Sequence, residues 1–228
     1  MDPMRIATWN CQTGLTNNWE VLEALDTDIA TIQECGDGTP DEAAARSNWS
    51  CAYKAGRWGR GLAVLARAPY LIEAPEESGE PFIVSRMISG PRSFRFVGFW
   101  AMTERDVGYS YPRQAARLIE HLPSDGVDVV IAGDFNASKS AQHLANVAAL
   151  RELGLASGYH SFHGIAHEDK EEYPTSFHQW NPSRPFHMDF IVVPSQWTIS
   201  SVEVGSFDDY VGARVSDHTP VVVTVAEG

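Results

Sequence analysis

Cysteine is scarce: the 228 residues hold three, Cys11, Cys35 and Cys51. An odd number without metal-site spacing excludes a disulfide framework and reads as reduced thiols packed as small side chains. Basic residues are also few, 17 Lys and Arg against 30 Asp and Glu, for a formal charge of −13. That balance excludes a broad basic surface of the kind that holds polyanions by exchanging many counterions. Any nucleic acid has to be gripped locally, by small clusters such as Arg57, Arg60 and Arg67 or Arg113 with Arg117, and the same clusters read equally well as a solvated rim. No run approaches the roughly 18 apolar residues of a membrane span. No Gly/Ser-rich or Pro-rich linker, repeat or low-complexity tract divides the chain, and no basic segment with a leader-like apolar stretch follows Met1. The expectation is one soluble, cytoplasmic domain over residues 1–228.

What is present is mostly strand. Apolar and β-branched runs occur at Arg5 to Asn10, Asp28 to Gln33, Trp49 to Tyr53, Gly61 to Ala66, Phe82 to Ile88, Phe94 to Trp100, Val127 to Ala132, Met188 to Val193, Ser201 to Val204 and Val221 to Val225. Asn17 or Asn18 can cap a short helix carrying Val21, Leu22 and Leu25. Pro112 opens a second helix, with Ala115, Leu118, Ile119 and Leu122 on one stripe. A third runs from about Ser140 to Leu153 and closes at Gly154. A long polar connection, Gly158 to Pro185, is rich in histidine. Its spacing fits no metal motif, so His160, His163, His167 and His178 are read as surface loop residues. Helices are too few for strict βαβ alternation, which predicts an α+β fold of two packed sheets with helices outside.

Several strands end alike. The first stops at Asn10, the second at Glu34, and "VVIAGDFN" at Asp134 and Asn136; Asp189 lies on the strand near Met188, and Ser216-Asp217-His218 precedes the last. One strand-end Asp or Asn is ordinarily a turn or cap residue. Five such sites suggest convergence at one sheet edge. A carboxylate-rich site without a thiolate or a serine elbow suits Mg²⁺ or Mn²⁺, which neutralises phosphate charge and orients a water for in-line attack. In that chemistry Asp134 holds or deprotonates the water, while Asn136 hydrogen-bonds a phosphoryl oxygen or the water.

Trp9-Asn10, Gln33-Glu34, Gly133-Asp134-Phe135-Asn136, Met188-Asp189-Phe190 and Ser216-Asp217-His218-Thr219-Pro220, in this order, resemble the endonuclease/exonuclease/phosphatase superfamily of deoxyribonuclease I and exonuclease III. The resemblance covers nearly the whole chain. It implies a four-layer αββα sandwich, its two sheets mainly antiparallel, with a divalent-metal site at one edge. It further implies Glu34 as principal metal ligand with Asn10 beside it, Asp134 as water activator, Asn136 as its orienting neighbour, Asp189 and His218 as a pair at the scissile phosphate, and Asp217 as a further acid at the metal. Arg60, in a glycine-flanked turn, and Thr175 and His187, in "YPTSFHQWNPSRPFHMDF", are implied near the substrate.

Two positions depart from the pattern. Gln12 stands where many nucleases of the superfamily have Asp, which favours a single metal ion, and Trp100 stands where deoxyribonuclease I-like members have His. Tyr111 is a candidate for the phosphate, or packs at a helix start; Arg113 and Trp100 are candidate substrate contacts. Trp58, Trp100 and Trp180 are available for base stacking or for packing. Three functions follow: a Mg²⁺- or Mn²⁺-dependent nuclease acting on DNA or RNA, a phosphoesterase of a small-molecule or lipid/inositol phosphate, and a silent binding module, which the complete acid set disfavours. No obligate protein partner is indicated.

Overall fold

A computed structural model describes residues 3–46, 48–73, 79–137 and 139–226. Fourteen strands are described: β1 Met4–Asn10, β2 Ile29–Gly36, β3 Trp49–Ala55, β4 Arg60–Arg67, β5 Leu71–Ile72, β6 Ile83–Ser89, β7 Phe94–Trp100, β8 Val129–Asp134, β9 Leu155–Ser157, β10 Ser176–Phe177, β11 Pro185–Phe186, β12 Asp189–Pro194, β13 Ile199–Val204 and β14 Val221–Val225. The helices are α1 Trp19–Ala24, α2 Thr39–Ala45, α3 Glu104–Val107, α4 Tyr111–Glu120, α5 Ala141–Glu152 and α6 Gly158–His163. One six-stranded sheet has the order β13-β14-β1-β2-β4-β3, the other β5-β6-β7-β8-β12-β9. Each is antiparallel except for one central parallel pair, β1 with β2 and β7 with β8.

The central strands β8, β12 and β14 are buried at every residue because both of their faces are covered. On β1, Met4 and Ile6 enter the core between the sheets, while Ala7 and Trp9 join Trp19 and Leu22 of α1 on the outside. On β4, Leu62, Val64 and Ala66 point inward, and Ala63 and Leu65 outward. Ala115, Leu118 and Leu150 bring α4 and α5 into the hydrophobic cluster of the second sheet. Helices, sheet, sheet and helices thus form the expected α+β sandwich. No helix of the described residues is long and apolar enough to cross a membrane.

Two helix signals act as expected: Pro112 lies in the first turn of α4, and α5 covers the stretch after Ser140, whose hydroxyl accepts from the His143 backbone N–H. Asn18 stands at the start of α1 but does not cap it through its side chain, because its Nδ2 donates back to the Gly14 carbonyl at 2.8 Å.

The inter-sheet space turns polar toward one end. Thr8, Thr31 and Gln33 are wholly buried there, and Gln33 Nε2 donates to Thr8 Oγ1 at 3.0 Å. The strand directions then bring the polar ends together. β1 and β2 run in parallel toward Asn10 and Glu34. β12 starts at Asp189 directly opposite the last residue of β8, Asp134. β14, antiparallel to β1, starts beside Thr8, so the preceding Asp217 and His218 arrive next to Asn10.

The histidine-rich connection departs from the sequence expectation. His160 and His167 are buried, joined by His143 and His187; His163 is half-buried, and only His178 of the four loop histidines is exposed. The His160 and His167 rings stack at 3.6 Å, and both lie about 6.0 Å from the Phe190 ring. Imidazole serves here as a flat core side chain, a use that apolar periodicity cannot reveal.

Burial holds His143, His167 and His187 below the ordinary histidine range, His167 down to about 3, with His160 adding to each. A folded-state pKa below the unfolded value means that the unfolded chain takes up the extra proton as pH falls through about 6.5. Stability from His167 alone is expected to drop by about 1–2 kcal/mol between pH 6.5 and 5. Urea titrations of the wild type and His167→Phe check this. The same pH dependence in both would remove His167 as the cause.

Candidate active site

A cleft of about 410 Å³ opens at the polar end, with Asn10, Glu34, Tyr111, Asp134, Asn136, Asp217 and His218 among its walls. Two local features aim its acids. Glu34 is the extra residue of a β-bulge on β2, where the register against β4 shifts between Gln33 and Cys35. Simple alternation would turn Glu34 outward; the bulge, with Glu34 at φ +56°, gives the outward position to Cys35 and sends the carboxylate to the cleft. Asp134 ends β8 after Gly133, where a Cβ would lie 1.8 Å from the Phe99 carbonyl oxygen. Only glycine permits that approach between β7 and β8.

Asp134 is fully buried and accepts at both oxygens. The Asn136 backbone N–H donates to Oδ1 at 2.8 Å, and Asn136 Nδ2 and Asn10 Nδ2 donate to Oδ2, each at 3.1 Å. Asn136, at φ +45°, also donates from Nδ2 to the Ala101 carbonyl at 2.9 Å. Its amide hydrogens are therefore engaged in fixing Asp134, a different task from direct phosphate contact.

Asn10, expected at the metal beside Glu34, does stand next to Glu34 but has both ends of its amide engaged with the protein. Its Oδ1 accepts from the Gln12 backbone N–H at 3.1 Å, and its Nδ2 reaches Glu34 Oε1 at 3.2 Å as well as Asp134. A backbone N–H only donates, which sets the orientation of the amide; Asn10 bridges two carboxylates as a donor.

Across the cleft, His218 Nδ1 lies 2.9 Å from Asp189 Oδ2, and its Nε2 lies 3.1 Å from Ser176 Oγ. Burial opposes charge on His218, but the Asp189 carboxylate, helped by Asp134 and Asp217, overcomes it and lifts the imidazole to about 10. Burial, followed by repulsion from Asp189, pushes Asp134 up to about 7 against the pull of His218. Burial also raises Asp217. An acid poised near neutrality beside an imidazolium is the division of labour that acid–base chemistry needs.

The other candidates separate clearly. Tyr111 and Trp100 line the cleft, and burial keeps the Tyr111 phenol protonated above its ordinary range. Arg60 lines it too, its Nη1 2.7 Å from Glu34 Oε2. Arg113 does not: it is exposed on α4, paired with Glu120 at 2.9 Å, because the helix stripe that packs inward points it away. Thr175 is fully buried behind the site. Its Oγ1 accepts from the backbone N–H groups of Met188 and Asp189 at 2.9 and 3.1 Å, so it positions the start of β12 rather than meeting substrate. His187 is buried against Tyr159, its Nδ1 2.8 Å from the Tyr173 carbonyl oxygen, and belongs to the histidine cluster instead.

Two serines were not singled out from sequence. Ser216 Oγ donates to the Asn10 carbonyl at 2.6 Å and accepts from the His218 N–H at 3.1 Å. Ser176 faces His218 through an isolated bridge between the two residues. Both lie inside segments the sequence analysis quotes, Ser216-Asp217-His218 and YPTSF, but a serine hydroxyl carries no distinctive signal by itself.

The family model described as Endonuclease/Exonuclease/phosphatase family matches residues 7–218. The chain belongs to this family. Among solved structures, the 3'-5' exonuclease NExo from Neisseria meningitidis is 18% identical with a TM-score of 0.72, covering 98% of this chain and 100% of its own. An AP endonuclease from Archaeoglobus fulgidus is 14% identical at TM-score 0.74, with the same coverage. D. rerio TDP2, complexed with a single-strand DNA product, is 13% identical at TM-score 0.74 and covers both chains fully. At these identities the likeness carries the family's fold. No curated protein sequence matches.

The residues present fit the divalent cation implied by the family. Glu34, Asp134 and Asp217 bring three carboxylates to the walls of one cleft, with Asp189 directly opposite Asp134. Asp189 Oδ1 is buried without a hydrogen-bond partner, and the carboxyl of Asp134 resists ionisation beside it. Clustered carboxylate oxygens, one of which has its ionisation opposed by burial and then by a neighbouring carboxylate, suit a hard cation.

Proposed function

We propose that this protein is a divalent-metal-dependent phosphodiester hydrolase that cleaves nucleic acid by attack of water at phosphorus, with Mg²⁺ or Mn²⁺ as cofactor. The observation that carries the reading is the meeting of Glu34, Asp134 and the Asp189–His218 pair in one cleft, although the sequence separates them by up to 184 positions, from 34 to 218. Glu34, with Asp217, would hold the ion beside Asp134, and when bound it would supply charge neutralisation at phosphate.

The protein's own groups divide the remaining work. Asp134, locked by three donated hydrogen bonds, takes the proton of the attacking water as its oxygen bonds to phosphorus and the P–O bond to the leaving oxygen breaks. His218, held charged by Asp189, faces the negative charge that grows on the phosphoryl oxygens. Tyr111, a protonated phenol on the cleft wall, offers a hydrogen bond to a phosphate oxygen. Trp100 closes the floor where an aromatic surface rather than an imidazole meets substrate.

The nuclease reading is favoured over a small phosphoester because the similar structures include an exonuclease, an AP endonuclease and a protein complexed with a single-strand DNA product. Duplex DNA, single-stranded DNA, RNA, bis(p-nitrophenyl) phosphate and a phosphomonoester, each with Mg²⁺, Mn²⁺ or chelator, test it. Cleavage of an oligonucleotide that stops with chelator is expected. Turnover of the monoester alone would replace this reading with the second.

Metal binding has a separate readout in stability. A cation at 100 times its Kd raises stability by about 2.7 kcal/mol, so melting temperature is expected to rise with Mg²⁺ or Mn²⁺ above pH 7. The rise should shrink at pH 5, where the proton on Asp134 competes with the ion. Glu34→Gln should demand several-fold more metal for the same shift. An unchanged metal dependence in that variant would remove Glu34 as a ligand.

A further inference from the structure

Trp58 is 89% exposed, the most exposed large apolar side chain among the described residues, and it stands on the lip of the catalytic cleft. Its backbone is left-handed at φ +63°, followed by Gly59 at φ +68°, in the short turn Arg57–Gly59 between β3 and β4. A bulky residue in that region is strained and persists where the surroundings or the function hold it there. Nothing packs on the ring to explain the conformation by burial.

The neighbouring charges do not explain a grip on substrate either. Arg57 is paired with Asp106 at 3.2 Å, and Arg60 with Glu34 at 2.7 Å. With both cations partly neutralised on a protein of net charge −13, attraction to a phosphate backbone is weak here. Beyond the scissile phosphate, which His218 and the cation would face, grip on the flanking nucleotides at this rim then has to come largely from an uncharged contact. The same cleft is lined by a second exposed aromatic ring, Phe186, 42% exposed on β11.

We propose that Trp58 is a stacking platform for one nucleobase flanking the scissile phosphate, and that the preferred substrate is single-stranded or frayed nucleic acid. The inference rests on the nuclease reading and specifies its substrate. Within a continuous duplex both faces of each base are covered by neighbours, so a tryptophan can stack only on a base that has left the helix or never joined one. A cleft of about 410 Å³ is also the size of a site for one small ligand, matching a single nucleotide. Stacking is tolerant of base identity, so the preference is for strand state, not sequence.

Steady-state cleavage of single-stranded oligonucleotides tests this with wild type, Trp58→Ala and Trp58→Phe. The substrates carry one abasic nucleotide, walked from two positions before the cleavage point to two after it. Trp58→Ala is expected to raise KM by about 10- to 100-fold with kcat nearly unchanged, and Trp58→Phe to restore most of the loss. At one position, the abasic substrate should raise the wild-type KM by the same factor, and Trp58→Ala should add nothing there. A Trp58→Ala penalty of equal size at every abasic position, or no penalty at all, overturns the stacking role while leaving the nuclease reading standing. Wild type that cleaves no oligonucleotide but hydrolyses bis(p-nitrophenyl) phosphate overturns both. Faster cleavage of blunt duplex than of single strand overturns the preference for open strands.

Discussion

Asp134→Asn is expected to lower kcat by about 10²- to 10⁴-fold, the contribution of a positioned general base, while far-ultraviolet circular dichroism stays that of the wild type. Asparagine fills the same volume at the end of β8 but takes up no proton. Because the Asp134 carboxyl is raised to about 7, wild-type kcat/KM should climb with pH and level off above neutrality, when the base form predominates. Added divalent cation favours the ionised form and should move that limb to lower pH. The residual rate of Asp134→Asn should lack the limb altogether. If the limb survives in the variant, the titrating group is another acid of the cleft, with Asp217, also raised by burial, the next to replace.

The parts of this site that were legible in the sequence are those fixed by strand chemistry. Asn10, Glu34, Asp134, Asp189 and His218 each interrupt or end a run of buried apolar residues, where a polar side chain has to face something specific. The directions that bring them together follow from pairing, which no single run encodes. Their order along the chain supplied that information through likeness to a family.

What the sequence hid has separate physical causes. Glu34 points inward only because a bulge breaks the period of two, and a bulge leaves no mark in a hydropathy pattern. Arg113 and Thr175 have the right chemistry near the right motifs, but one lies on the outer stripe of α4 and the other behind β12, where its hydroxyl satisfies backbone groups. Asn10 and Asn136 were assigned by residue type, whereas their work depends on which amide atom faces which neighbour. His160 and His167 read as surface loop residues because their spacing fits no metal motif, which says nothing of imidazoles stacked as core rings.

His218→Asn and Asp189→Asn are each expected to cost about 10²- to 10⁴-fold in kcat, and the double variant no more than the worse of the two. The two residues act as a unit, since Asp189 matters through the charge and orientation of His218. Additive losses would assign Asp189 a separate task. The pair also has a stability signature with a definite sign. The folded His218 titrates near 10 and the unfolded one near 6.5, so its stabilising contribution is complete below about pH 6.5 and fades as pH rises through about 10. Asp189→Asn should therefore lower stability by about 2–4 kcal/mol at pH 6, with the gap to wild type closing toward pH 10. Imidazole NMR titration reads the cause directly: the His218 resonances should move their midpoint from about 10 to below 7 in Asp189→Asn. A midpoint that stays in place would mean that Asp134 and Asp217, not Asp189, keep the imidazole charged.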